Sequence, residues 1–95
     1  MEFEWDEQKR EANLAKHAID FIRAATIWQR SVIDPADLRD EGAERRYLAL
    51  GTIGEDELVI AVVYTLRGEV RRLISARRGR RNEREYYQAE FGRRN

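Results

Sequence analysis

Ninety-five residues, 42% of them hydrophobic, supply one small core, so a single domain over residues 1–95 is expected. The absence of cysteine excludes disulfide frameworks and thiolate metal sites, and no apolar run nears the roughly 18–20 residues of a membrane span. The net charge of zero hides an asymmetry: residues 1–65 hold 8 basic and 14 acidic side chains, whereas residues 66–95 hold 10 basic and 4 acidic ones.

Phe3-Glu4-Trp5 alternates apolar and polar, which suits a short edge strand. Asp6 is an N-cap for a helix over about residues 7–16, with Glu7 well placed in its first turn. Its apolar face is thin (Ala12, Leu14, Ala15), so this helix belongs on the surface. Asp20 caps a second helix, in which Phe21, Ala24, Ala25 and Trp28 recur at helical spacing and form a core stripe. Ser31-Val32-Ile33-Asp34 reads as a short strand stopped by Pro35, and the polar residues 36–43 as a loop. Strands follow over about 45–53, 57–66 and 70–77, with hairpin turns at Glu55-Asp56 and Gly68-Glu69. Leu58 to Tyr64 is apolar on both faces and should be a central strand covered above and below. A final helix is expected over about 80–91. Helices segregated from a meander of antiparallel strands define an α+β fold.

The most informative segment is Val70 to Tyr87, eighteen residues with seven arginines. Guanidinium is always charged, and its fork of donors grips phosphate oxygens in pairs. A basic end on an acidic body suggests one anion-binding face and another for a basic partner; solvated surface is the bland alternative. The first residues, Met1 to Asp6, lack the basic and apolar regions of a signal peptide, so the cytoplasm is the expected location.

Taken together, several pieces carry a resemblance. They are Phe3-Glu4-Trp5-Asp6, Asn13, Lys16-His17 and Asp20-Phe21; then Glu44-Arg45-Arg46-Tyr47, Gly51 and Val63-Tyr64-Thr65-Leu66-Arg67; and last Arg72-Leu73-Ile74-Ser75-Ala76-Arg77, Glu83 and Tyr87. In this order and spacing they resemble the BrnT family of bacterial type II toxins, over nearly the whole chain to about residue 90. The resemblance implies a RelE-like fold, with two N-terminal helices, an antiparallel meander and a C-terminal helix. It implies an endoribonuclease that halts translation by cutting RNA and is neutralised by a BrnA-like ribbon-helix-helix antitoxin. The toxin–antitoxin complex would bind operator DNA and repress its own operon. Three departures stand out. Ala18 replaces a glycine common after Lys16-His17, Gly79-Arg80 replaces the hydroxyl residue of a capping box that ends at Glu83, and Ala43-Glu44 replaces Gly-Glu.

Metal-free RNA cleavage needs the 2′-hydroxyl deprotonated, the phosphorane charge stabilised and the 5′-oxygen protonated. With one histidine, no cysteine and no carboxylate cluster, neither a metal site nor a cofactor is expected. His17 is the obvious acid or base, histidine being the side chain that ordinarily titrates near neutrality; alternatively it is a polar residue ending a helix. Glu44 is a candidate base or an ion-pair partner of Arg46. Arg46, Arg67, Arg72 and Arg77 fall on strands, where an arginine answers either to phosphate or to a structural carboxylate. Arg46 and Arg72 can share a face only if the register permits. His17, Glu44, Arg67 and Arg77 are therefore the catalytic candidates. Lys16, Arg46, Arg72, Arg78 and Arg81 are the RNA-binding candidates. Ser75 suits either phosphate or packing under the last helix. Tyr64 and Tyr87 suit either base stacking or, better, core packing, and Trp5, Trp28 and Phe21 are read as core. On the residues alone, a non-enzymatic nucleic-acid-binding module or an adaptor pairing with an acidic partner remains an alternative.

Overall fold

The computed structural model describes residues 1–92, the side chain of Glu41 excepted. Strand β1 (Glu2–Glu4) leads into helix α1 (Glu7–His17) and a short helix α2 (Phe21–Ala24). Four strands follow, β2 (Ile33–Glu41), β3 (Glu44–Ile53), β4 (Leu58–Arg67) and β5 (Val70–Arg78), then helix α3 (Arg81–Phe91). The fold is α+β, with three helices on a five-stranded sheet of order β1-β5-β4-β3-β2. Strands β2 to β5 form an antiparallel meander, and β1 adds to β5 in parallel.

Asp6 caps α1 by accepting from the N–H groups of Gln8 (2.8 Å) and Lys9 (3.3 Å). The face that holds α1 down is not apolar: Ala12, Leu14 and Ala15 are exposed, and Asn13 is the buried residue. The Asn13 amide donates to Ala76 O (2.9 Å) and accepts from Ala76 N (3.0 Å), pairing with β5 as a neighbouring strand would. It also donates to Ile19 O at 2.9 Å. β1 pairs with β5 only from Val70 to Arg72, so a side-chain amide continues the edge where β1 stops.

The expected second helix starts at its Asp20 cap but does not run to Trp28 as a single α-helix. α2 is four residues long and passes into a 3₁₀ turn over Ala25–Gln29. Phe21, Ala24 and Ile27 are fully buried, a spacing of three that suits 3₁₀ geometry, while Ala25 and Trp28 of the expected stripe are partly buried against the same core. Ile27 settles against Gly51 so closely that a Cβ there would lie 2.5 Å from Ile27 Cβ.

The second correction concerns residues 36–43. Strand β2 does not stop at Pro35; it runs to Glu41, with a cis Asp34–Pro35 bond and a register irregularity between Ile33 and Asp37. Proline is tolerated because β2 is the sheet's edge. The polar composition follows from the same position, since Asp37 to Asp40 are all exposed.

Helices α1 and α2 cover one face of the sheet, against Ala49, Ile53, Ile60, Val62, Tyr64, Leu73 and Ala76. Helix α3 covers part of the other face, where Tyr87 packs with Leu50, Val59 and Ala61. Both faces of β4 are thus buried, as its apolar run requires. Asp34 is the hub of the first face. It accepts from Trp28 Nε1 (2.8 Å), from Arg71 Nη2 (3.0 Å) and from the Tyr64 hydroxyl. Arg71 also lies 5.3 Å from the rings of Trp28 and Tyr64.

Ala18 closes α1 in the left-handed conformation (φ 59°), donating its N–H to Leu14 O. Ala18→Gly is expected to stabilise the fold by about 1 kcal/mol, which raises the melting temperature by roughly 4–8 °C in calorimetry. Burial, with the Asp34 carboxylate beside it, pushes the Tyr64 phenol well above its ordinary value of 10.0. The folded pKa exceeds the unfolded one, so this stabilisation is complete below pH 10 and is lost as pH rises toward the folded value. Spectrophotometric titration should leave one phenol un-ionised until the fold opens in alkali, and Tyr64→Phe should remove that component.

Candidate active site

The register of β5 decides where its arginines point. Val63 pairs with Ser75 but Tyr64 pairs with Leu73, so Ile74 is an extra residue, a β-bulge. Through it Leu73 and Ala76 both turn toward α1 and α2, while Arg72, Ser75 and Arg77 all turn to the opposite face. Arg46 and Leu48 of β3 and Val63 of β4 point to that face, as do Asp37 and Arg39 of β2, paired with Leu48 and Arg46. The register does permit Arg46 and Arg72 to share a face.

Helix α3 covers only one end of this face. Beside it lies a depression of about 210 Å³ lined by Arg39, Arg46, Arg77 and Arg80, with Asp37 and Ser75 among the other residues on its wall. Arg39 and Arg46 are directly opposed across β2 and β3. Arg39 also pairs with Asp37 on the same face, at 3.5 Å. A second, shallower depression holds Lys9, Asn13, Lys16 and His17. The two share Ile74 and Ser75, so the bulge is a common wall between the histidine and the arginines.

Arg77 is held by a carboxylate of α3. Its guanidinium donates from Nη1 to Glu83 Oε1 (2.8 Å) and from Nη2 to Glu83 Oε2 (3.0 Å). Nη1 also reaches Arg78 O at 3.3 Å. The Arg77 hydrogen bonds hold the Glu83 carboxyl below its usual range; burial opposes them, and the Arg80 N–H adds to them. Glu83 in turn raises the Arg77 guanidinium further, against the desolvation that opposes it. Glu83 also accepts from Arg80 N (2.7 Å), the surviving half of the capping box, and Arg80 is the N-cap of α3.

The sequence candidates are distributed as follows. His17 and Lys16 end α1, with His17 half-buried. Glu44 begins β3, half-buried, two residues from Arg46 and hence on its face. Arg72 shares that face but pairs with Glu4 at 2.6 Å. Arg67 is exposed at the end of β4, four residues and thus roughly 13 Å along the strand from Val63. Arg78, paired with the buried Ile60, points to the face opposite Arg77 and is exposed. Arg81 is exposed on α3 and pairs with Glu85 at 3.3 Å. Sequence reasoning misses Arg39 and Asp37 because their strand reads as a loop. It misses Arg80 as a wall residue because the position suggests only the hydroxyl of a capping box. Among the described residues, no three His, Cys, Asp or Glu side chains come together to hold a metal ion, and no helix is long and apolar enough to cross a membrane.

The α+β domain thus sets an arginine-lined depression beside the histidine at the end of α1. The family description "Ribonuclease toxin, BrnT, of type II toxin-antitoxin system" matches residues 5–83. The chain belongs to that family, and an antitoxin partner comes with the membership. No match was found among curated proteins.

If the depression holds nucleic acid, Arg39→Ala and Arg80→Ala should each weaken binding of a single-stranded RNA oligomer. Each should also flatten the slope of log K against log salt by about 0.7. Arg78→Ala, on the other face, should leave the slope unchanged in the same anisotropy titrations.

Proposed function

We propose that this chain is a metal-independent endoribonuclease toxin that inhibits translation by cutting RNA at the depression between β2, β3, β5 and the start of α3. The observation that carries the reading is the shared Ile74–Ser75 wall: four arginines stand on one side of it, and the histidine and two lysines on the other. Arg46, Arg77 and Arg80 hold the scissile phosphate and neutralise the charge that grows on its oxygens. Each such donor contributes roughly 3–4 kcal/mol when aimed at the transition state. His17 and Glu44 are the acid–base candidates, one drawing the proton from the 2′-hydroxyl and the other returning one to the 5′-oxygen. The 2′-oxygen forms a bond to phosphorus as the bond to the 5′-oxygen breaks, leaving a 2′,3′-cyclic phosphate and a 5′-hydroxyl. Lys16, Arg39 and Arg72 contact flanking phosphates.

The RelE-like arrangement is part of the same proposal, supported by the antiparallel meander of β2 to β5 with helices on both of its faces. So are its partner, a BrnA-like ribbon-helix-helix antitoxin, the binding of operator DNA through the complex, and action in the cytoplasm. Family membership supports these, together with a basic face suited to an acidic covering segment.

Induced expression in bacteria without antitoxin tests the reading. The wild type should arrest growth and fragment RNA, with products carrying 2′,3′-cyclic phosphates whether or not EDTA is added to the purified enzyme. Arg46→Ala should lower cleavage by about 10²–10³-fold and His17→Ala by about 10²–10⁴-fold. Intact RNA and normal growth with folded wild-type protein would defeat the proposal and favour a binding module.

A further inference from the structure

We propose that Glu83 is a positioning residue that aims Arg77 at the phosphate, an inference that rests on the ribonuclease reading. A guanidinium carries five N–H donors, arranged as one end-on edge, one side-on edge and a single outer hydrogen. In Arg77 the end-on edge, one hydrogen each from Nη1 and Nη2, is bound by both oxygens of Glu83 at 2.8 and 3.0 Å. The outer Nη1 hydrogen goes to Arg78 O at 3.3 Å. What remains is the side-on edge, Nε–H and the second Nη2–H, which meets no acceptor among the described residues. Those two parallel donors match the spacing of two phosphate oxygens, and Arg77 lines the depression.

The Glu83 and Arg77 side chains are only 14% and 19% exposed, so the clamp is held in a desolvated setting where its geometry is stiff. Glu83 is itself fixed from the other side, because Oε1 accepts the Arg80 N–H at the start of α3. Helix α3 thereby sets the angle of the Arg77 fork relative to the sheet. The carboxylate also neutralises part of the arginine cluster before any anion arrives, which allows four guanidinium groups to share one wall.

Glu83 has two duties, capping α3 and clamping Arg77, and the substitution Glu83→Gln separates them. The glutamine side chain keeps an oxygen for the Arg80 N–H but presents an amide NH₂ to one Nη, so the cap survives and the clamp does not. Glu83→Gln should therefore fold with its helix content intact while kcat for RNA cleavage falls about 10²-fold, the usual penalty of misplacing a contact by about 1 Å. KM should change less. Glu83→Asp should recover part of the loss. The double variant Glu83→Gln/Arg77→Ala should be no slower than Arg77→Ala alone, since Glu83 acts through Arg77. A second readout does not depend on turnover. In arginine-labelled full-length protein titrated with inorganic phosphate, the Arg77 Nε–H resonance should shift saturably, and Glu83→Gln should weaken that binding about tenfold. Wild-type kcat in Glu83→Gln, additive losses in the double variant, or unchanged phosphate binding would each overturn the inference. A wild type that binds phosphate at Arg77 but cuts no RNA would defeat the ribonuclease reading while leaving the clamp intact.

Discussion

Between Leu73 and Ser75, strand β5 holds one residue more than the strand it faces, and both faces of the sheet depend on that insertion. In an unbroken strand, Arg72 and Arg77, five positions apart, would point to opposite sides. One would then enter the apolar face under α1 and α2, where an unpaired guanidinium is very costly. The bulge at Ile74 restores the alternation out of phase, so that apolar Leu73 and Ala76 line one face while Arg72, Ser75 and Arg77 line the other. Bulges recur beside functional sites for this reason: they re-aim side chains without interrupting the sheet.

Around that point the polar groups are connected in a short chain. Asn13 ties α1 to Ala76, one residue from Arg77; Arg77 ties β5 to Glu83; and Glu83 ties back to the backbone at Arg80. Three elements thus converge on one strand segment through hydrogen bonds. Apolar packing supports them on both sides, with Phe21 and Ile27 beneath one face and Tyr87 against the other. The polar side of the molecule is positioned by partners of fixed geometry, which side chains chosen only for volume would not provide.

Most of the framework is legible in the chain. The boundaries of β3, β4 and β5 fall within a residue or so of those expected, because β-branched runs punctuated by Gly54 and Gly68 leave little choice. The Asp6 and Asp20 caps announce where their helices start. What is illegible has common physical causes. An edge strand need not alternate, since neither of its faces has to be buried, and so Asp37 to Asp40 read as a loop. A bulge leaves no compositional mark, so the shared face of Arg72 and Arg77 stays open until register is known. The role of Asn13 is equally silent: one amide in a polar helix looks like any solvated residue, although it replaces a whole missing strand partner. The position of Arg80 in the chain suggests a helix cap and nothing else.

The bond between Asn13 and Ala76 has a mechanical consequence. It places His17, one turn further along α1, and Arg77, one residue further along β5, on parts fastened to each other. Arg39 and Arg46 belong instead to the hairpin of β2 and β3, whose residues 37–40 are exposed and sit at the less stable periphery of the sheet. The depression therefore has one wall fastened across two elements by side-chain hydrogen bonds and another carried by the edge hairpin. Under the proposed function, the scissile phosphate would lie between the two, with Arg77 on the fastened wall and Arg46 on the hairpin, so its grip would depend on how β3 is held to β4.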